Sequence, residues 1–284
     1  MDEIAAAQIV LDVEIIALFA MILGIVVYGY LRRKSLAAPA WFDPRPDRFD
    51  GLDFIALLFP IAPFLLKPFV ERGTSGHALD QSLVPPAPSV NLLLTSIFLT
   101  IFLGVMVYGI LVWVRGRDLN ALFGLDRLRL PTLVLAVIIG GVLSLVVCLW
   151  LLAGVSTGYI EKIFTNLSPQ EPVRMVQEST SSLQLILTVI AACVAAPLVE
   201  EFLFRGYLYG TLRQFTTPVF AAMVVGALFA AIHVNLPALV PLWGFSLLLC
   251  AAYEITRCLW VTVGIHAFFN AANILLMLTV KQDP

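Results

Sequence analysis

Two adjacent carboxylates, Glu200 and Glu201, lie at the end of an apolar run that begins near Leu183. An ionisable side chain inside a membrane span costs roughly 2.5 kcal/mol or more, so such residues usually serve a function. If the run is helical, Glu201 and Arg205 lie four residues apart on one face and can form an ion pair. Glu200 points about 100° away from that face and has no local partner. We therefore expect Glu201 to be structural and Glu200 to be free for chemistry.

Further polar residues occur in two later apolar runs of the chain. His233 ends the run Phe229-Ala-Ala-Ile-His, and His266 and Asn270 lie four residues apart, on one helical face. A single buried histidine is usually a satisfied structural residue. Two intramembrane histidines together with an unpaired glutamate and an asparagine favour a shared site, because such groups normally face a cavity or each other.

These side chains have the chemistry needed to hydrolyse an amide bond. Glu200 could act as a general base that takes a proton from water, and His233 could orient or polarise that water. His266 and Asn270 could donate hydrogen bonds to the oxyanion that forms on the attacked carbonyl. The predicted activity is therefore that of a peptide hydrolase.

The composition places this chemistry in a membrane. Hydrophobic residues make up 60% of the 284 residues and charged residues 13%, and the mean hydropathy is +0.96. These values exclude a soluble globular domain. The net charge of −2 gives no indication of nucleic-acid binding. We interpret the cysteines as packing residues, since they lack metal-ligand spacing; they are Cys148, Cys193, Cys250 and Cys258.

The hydrophobic runs predict an all-α fold, a polytopic membrane helical bundle of about eight transmembrane helices. The fifth element, at ~1.5 Å per residue, would be ~45 Å long and project beyond the membrane. A turn near Phe215 would bring Glu200 and His233 to similar depths, ~22 and ~27 Å along their helices. The expected spans are 9–30, 52–70, 92–114, 132–155, 183–213, 216–233, 236–252 and 259–280.

The charge distribution predicts the orientation and the organisation of the chain. With both termini outside, 12 of the 17 basic residues lie in inner loops, as the positive-inside rule requires. Residues 1–182 would form four N-terminal spans with connecting loops, including an outer segment at 158–180. Residues 183–284 would form the catalytic core of four spans.

Three ordered motifs resemble one family. Glu200-Glu201-(three residues)-Arg205, Phe229-(three)-His233 and His266-(three)-Asn270 resemble the type II CAAX prenyl endopeptidases, the CPBP or ABI group of intramembrane proteases. The resemblance covers about residues 183 to 275, and the first four spans match no named family.

The resemblance implies roles for these positions. Glu200 would be the catalytic glutamate, with His233 as its partner in activating water, and His266 and Asn270 would form the oxyanion site. Glu201 and Arg205 would be an ion pair that braces the helix, and Phe229 would support the site as a motif position. The implied substrate is a prenylated, leader-type or other peptide in or at the lipid bilayer. We expect a bacterial cell membrane and an active site that opens to the cytoplasmic side.

Other interpretations stay open. Glu200 with two histidines could ligate a metal ion, but the His-Glu-x-x-His helix of zinc proteases is missing, so we expect no cofactor. Gly244-Phe245-Ser246 with His266 weakly resembles a membrane serine protease. A transporter would also place charges at mid-membrane, although the halves of the chain show no inverted repeat. A non-catalytic scaffold or immunity protein would keep its function without Glu200.

Overall fold

The structure is a computed structural model that describes residues 48–51, 53, 89–156, 181–233 and 236–280. The helices of this part are α1 (Val90–Gly109), α2 (Leu119–Phe123), α3 (Leu130–Ser156), α4 (Ser182–Ile190), α5 (Ala196–Glu201), α6 (Gly210–Phe215), α7 (Pro218–Ala231), α8 (Leu236–Thr256) and α9 (Leu259–Val280). No strand occurs among these residues, which confirms the predicted all-α class.

The described helices form a multi-pass membrane bundle. Five continuous helical stretches are long and apolar enough to cross a membrane, namely Val90–Val114, Leu130–Leu151, Ser182–Phe215, Ala238–Thr256 and Leu259–Thr279. Helix α7 is apolar but shorter. Large apolar side chains on their outer faces are exposed, including Phe98, Trp113 and Trp150, as expected where lipid replaces water. The predicted spans at 9–30 and 52–70 (apart from Asp53) and the segment 158–180 lie outside the described residues, so the number eight is not confirmed.

Side-chain caps start several of these helices. Ser89 accepts a hydrogen bond from the backbone N–H of Leu92 at the start of α1. Ser181 and Gln184 form a reciprocal capping box at the start of α4. Thr217 caps α7, whose first residue is a proline. Each cap satisfies backbone N–H groups that have no partner inside the helix, so the sequence itself fixes where these helices begin.

The predicted fifth element is one long composite helix. It runs over 34 residues, Ser182–Phe215, about 51 Å at 1.5 Å per residue. Two π-helical segments, Ala191–Ala195 and Phe202–Tyr209, interrupt the α-helical geometry on either side of α5. The expected turn near Phe215 is present, because α6 ends at that residue and α7 begins at Pro218.

Small residues let α3 approach the last two helices closely. Ideal Cβ atoms built on Gly140 and Gly264 would lie within 2.8 Å of side-chain atoms of Ile265 and Val137, respectively. Such gaps are shorter than real Cβ contacts, so side chains at these glycines would force α3 and α9 apart. Close packing at small residues is how membrane helices associate without a hydrophobic driving force. Helix α9, which carries His266, is therefore held from behind by α3.

An ion network of Arg115, Arg117, Asp50 and Asp53 joins two segments at one end of the bundle, the basic end. Arg115 Nε lies 2.7 Å from Asp53 Oδ1, and Arg117 Nη2 lies 2.9 Å from Asp50 Oδ2, with both aspartates fully buried. Burial lowers the pKa of Arg115, but the hydrogen bonds and charges of Asp53 and Asp50 outweigh burial and raise the pKa overall. The loops around residues 48–53 and 115–117 therefore lie at the same end of the bundle.

A second ion network lies at this basic end. Glu254, near the end of α8, pairs with Arg213 and Arg257 and accepts a hydrogen bond from the Tyr209 hydroxyl at 2.8 Å. The neighbouring Tyr253 hydroxyl donates to the backbone carbonyl of Leu122 in α2, the short helix in the connection after α1. The Glu254–Arg257 pair, three residues apart, is thus one part of a larger network. The contacts place the loops after α1 and α8 and the end of the composite helix together.

Candidate active site

Glu200 and Glu201 end a short α-helical stretch between two π-helical segments. Helix α5 contains both residues, and the π-helical segments Ala191–Ala195 and Phe202–Tyr209 flank it. A π-helical insertion inside an α-helix is rare and frequently marks a functional site. Consecutive helical residues point about 100° apart, so the two carboxylates meet different neighbours. Glu201 is fully buried, whereas 15% of the Glu200 side chain is exposed.

The Glu201 carboxylate joins two neighbouring elements. Its Oε1 accepts a hydrogen bond from Arg205 Nη1 at 2.6 Å and another from His266 Nδ1 at 2.8 Å. The ion pair expected from the spacing of Glu201 and Arg205 is therefore present. The contact with His266 was missed, because the two residues lie 65 positions apart and no local pattern links them. Glu201 thus anchors the composite helix to α9.

Arg205 extends this contact to a third helix. Its guanidinium is fully buried, and Nη2 donates to Ser246 Oγ at 2.7 Å. The guanidinium carbon lies 4.6 Å from the centre of the Phe229 ring, a cation–π contact. The sequence singled out Ser246 only for a weak resemblance to serine proteases. In the structure its hydroxyl binds Arg205, and no hydrogen bond joins it to His266 in the described part of the chain.

His266 faces both glutamates. A carboxylate can only accept hydrogen bonds, so the contact with Glu201 places a hydrogen on Nδ1 of His266. The other ring nitrogen, Nε2, lies 3.9 Å from Glu200 Oε2, which is too long for a hydrogen bond. The rings of Phe229 and Phe245 pack edge-on against the imidazole. This apolar surround fixes the ring with Nε2 turned towards Glu200.

One oxygen of the Glu200 carboxylate has no hydrogen-bond donor among the described residues. Its Oε2 atom is buried, and no described residue donates a hydrogen bond to it. Buried carboxylate oxygens are normally satisfied, and an exception calls for a specific explanation. The oxygen is available to accept a proton or a hydrogen bond from a bound molecule, which is the property expected of Glu200 from the sequence.

His233 contacts Phe229, which also packs against His266. Its Nδ1 lies 2.7 Å from the carbonyl oxygen of Phe229, which can only accept, so a hydrogen is on Nδ1, and in the neutral ring Nε2 has a lone pair. The His233 and His266 rings lie 4.7 and 5.8 Å from the Phe229 ring, measured between centroids. Their centroids are therefore no more than 10.5 Å apart. Among the described residues, no ion pair joins His233 directly to Glu200.

Asn270 lies one turn after His266 on α9 and binds backbone. Its Nδ2 donates to the carbonyl oxygen of Ala192 at 2.7 Å. One of the two amide hydrogens is thus committed to the composite helix, and the second remains for another acceptor. Asn270 was expected to face an oxyanion, and the sequence did not indicate its backbone contact.

The structure thus collects Glu200, Glu201, Arg205 and His266 into one contact network, and Phe229 connects it with His233. In the described part of the chain, no group of three or more His, Cys, Asp or Glu side chains is arranged to hold a metal ion. The groups with unused lone pairs include Glu200 Oε2, Glu201 Oε2 and, in the neutral rings, Nε2 of His233 and of His266. Carboxylate oxygens and imidazole nitrogens are ordinary zinc ligands. The expected absence of a cofactor stays a prediction.

Comparisons with known proteins agree with the motifs. Residues 182–272 match the family model described as "Type II CAAX prenyl endopeptidase Rce1-like". A curated relative, "Putative membrane peptidase YdiL" of Bacillus subtilis (strain 168), is 25% identical over 92 residues. The aligned region covers 32% of this chain and 38% of that protein, so the match spans well under half of either. No solved structure matches the chain significantly. The family resemblance is therefore confirmed for residues 182–272.

Proposed function

We propose that this chain is an intramembrane endopeptidase that hydrolyses a peptide bond of a substrate in or at the membrane. The observation that carries the proposal is the buried Glu200 Oε2, which has no donor among the described residues and lies 3.9 Å from His266 Nε2. An unpaired carboxylate beside an imidazole nitrogen has the chemistry of a general base next to a hydrogen-bond donor. The match of residues 182–272 to an endopeptidase family supports the same reaction class.

In the proposed mechanism, Glu200 takes a proton from a water molecule. His233 Nε2, which keeps its lone pair, accepts the second hydrogen of that water and orients it. The water oxygen then bonds to the carbonyl carbon of the scissile amide, and the π electrons of the C=O bond move to the carbonyl oxygen, which becomes the oxyanion. Glu200 returns its proton to the leaving nitrogen as the C–N bond breaks. One water is consumed, and a carboxyl group and an amine are formed.

The oxyanion of this mechanism forms beside His266. Because Nδ1–H of His266 is bound to Glu201, Nε2 can donate a hydrogen bond only if the ring carries a second proton and is an imidazolium. Glu201 and Glu200 are both placed to compensate that charge. The second amide hydrogen of Asn270 would be the other donor to the oxyanion.

The proposed substrates are prenylated or leader-type peptides held at the bilayer, and the proposed entry is from the basic end. Glu200 lies 13 residues before Arg213 on the composite helix, about 20 Å along its axis. The positive-inside rule assigns the basic end to the cytoplasm, so the site would lie below the inner membrane surface.

The test is hydrolysis by purified protein in detergent micelles. The probe is a fluorescence-quenched peptide with a farnesylated C-terminal CAAX sequence, compared with its unprenylated form and with a leader-type peptide. Glu200→Gln should lower turnover by about a hundredfold or more, the usual contribution of a general base, with its folding preserved. Turnover by Glu200→Gln equal to that of the unchanged protein would refute the assignment. It would favour a non-catalytic scaffold of the same fold.

A further inference from the structure

The backbone just before Glu200 lacks one of its regular hydrogen-bond donors. In the π-helical segment Ala191–Ala195, the N–H of Ala196 donates to the carbonyl of Ala191, five residues earlier. The carbonyl of Ala192 would next be served by residue 197, which is a proline and has no N–H. Within a membrane no water replaces such a donor, and an unsatisfied backbone group there is strongly unfavourable. Pro197 therefore leaves the carbonyl oxygen of Ala192 without a backbone donor from its own helix.

Asn270, on helix α9, supplies the missing donor. Its Nδ2 donates to the Ala192 carbonyl at 2.7 Å. One turn earlier on α9, His266 binds Glu201. Helix α9 therefore holds the composite helix at two points, Ala192 and Glu201, and Glu200 lies between them along the chain.

This double attachment determines the direction in which Glu200 points. A π-helical turn contains about one residue more than an α-helical turn, and one residue corresponds to about 100° of rotation. If the segment closed into α-helix, the residues after it would turn by about that angle relative to α4. Glu200 would then leave its place beside His266 Nε2.

We propose that Asn270 is a positioning residue that stabilises the π-helical segment at Ala192 and so aims Glu200 at His266. This role rests on the proposed function and adds to the donor role given to Asn270 above. The proposal also links two residues: the Asn270 amide is needed at the Ala192 carbonyl because residue 197 is a proline and has no N–H to donate.

The test is a double-mutant cycle of Asn270→Ala and Pro197→Ala. In the variant Pro197→Ala, residue 197 can donate its own N–H to the composite helix, so the loss of the Asn270 amide leaves no orphaned carbonyl. Asn273→Ala is the matched control, because Asn273 lies one turn further along α9 and, among the described residues, its amide donates to Phe269 of the same helix. Two quantities are measured in detergent micelles: kcat for the farnesylated peptide, and the equilibrium constant of unfolding.

Asn270→Ala alone should lower the unfolding constant by about tenfold to a hundredfold, the usual effect of an orphaned buried acceptor. It should lower kcat by more than that, with little change in KM, because the donor to the oxyanion is lost as well, and Pro197→Ala can restore only the part of this loss that comes from positioning. Pro197→Ala alone and Asn273→Ala should stay within about threefold of the unchanged protein. The double variant should recover at least about tenfold of both losses relative to Asn270→Ala. If Asn270→Ala does not fold, recovery of a folded double variant supports the proposal, and failure of both overturns it.

Additive losses in kcat and in stability would overturn the proposal, since Asn270 would then act independently of Pro197. Coupling in stability without coupling in kcat would also overturn it, because the hydrogen bond would not position Glu200. Failure of the proposed function is separate: Glu200→Gln would then hydrolyse the peptide like the unchanged protein, while the stability cycle would still report the Asn270–Pro197 coupling.

Discussion

Glu200 and Glu201 are adjacent, and the same isosteric change at each should have opposite consequences. Glu201→Gln leaves a fully buried Arg205 without the carboxylate that lies 2.6 Å from it. Glutamine keeps one oxygen as an acceptor but removes the charge. Breaking a buried ion pair by removing one partner costs about 3–5 kcal/mol, and the retained oxygen favours the lower end. A loss of about 3 kcal/mol corresponds to about 150-fold in the unfolding constant at 1.4 kcal/mol per tenfold.

Glu200→Gln should change stability by less than about 1 kcal/mol, because the Glu200 Oε2 atom has no donor to lose among the described residues. Glu254→Gln is a control for the removal of an ion pair as such. The Glu254 side chain is 27% exposed and pairs with Arg213 and Arg257, and a solvent-exposed pair contributes about 0–1 kcal/mol.

The assay is reversible unfolding of the purified variants in mixed micelles of increasing denaturing detergent, followed by circular dichroism. Glu200→Gln and Glu254→Gln should both stay within about 1 kcal/mol of the unchanged protein, and Glu201→Gln should lose about 3 kcal/mol. Peptide hydrolysis should be lost in Glu200→Gln although its stability is retained. A Glu201→Gln variant within about 1 kcal/mol of the unchanged protein would refute the reasoning, since Arg205 would then not need its carboxylate.

Three further predictions concern the site and its orientation. Chelation should leave peptide hydrolysis within about twofold; its loss on chelation and restoration by zinc would show that His233, His266 and Glu200 bind a metal ion. Ser246→Ala should lower stability by about 1–3 kcal/mol through Arg205 but keep measurable hydrolysis, whereas complete loss with intact folding would favour a serine nucleophile. Cysteine labels in the 115–129 loop should react only from the cytoplasm, and labelling from outside would reverse the orientation.

Local patterns in the sequence predicted most of the described helices. The hydrophobic run 259–280 became a helix with the same bounds, and the turn near Phe215 is where a helix ends and Pro218 begins the next. The Glu201–Arg205 pair followed from a spacing of four residues. These features depend on residues within one or two helical turns, where the periodicity of the helix fixes the geometry.

Features that join distant segments could not be predicted in this way. Ser246 binds Arg205 across 41 positions, and Asn270 binds the backbone of Ala192 across 78. The short helix Leu119–Phe123, between the expected spans 92–114 and 132–155, was also missed. Its Asp118 cap and the left-handed Gly124 are local signals that could have indicated it. The π-helical segments had one available signal, Pro197, whose missing N–H has to be compensated by a neighbour.

The division of labour between the two acids also keeps the charge of the proposed site constant during the reaction. With both glutamates ionised, Arg205 and an imidazolium at His266 balance them. When Glu200 takes the proton of water, its negative charge disappears as a negative charge forms on the attacked carbonyl oxygen. His266 Nε2, 3.9 Å from Glu200 Oε2, faces the negative charge before this transfer and can donate to the new one after it. Since charge is costly in a low-dielectric interior, moving it past a fixed cation disturbs the site less than creating it would. Glu201 supports this arrangement, because its Oε1 binds both Arg205 and His266 and holds the two cationic groups in place while Glu200 exchanges the proton.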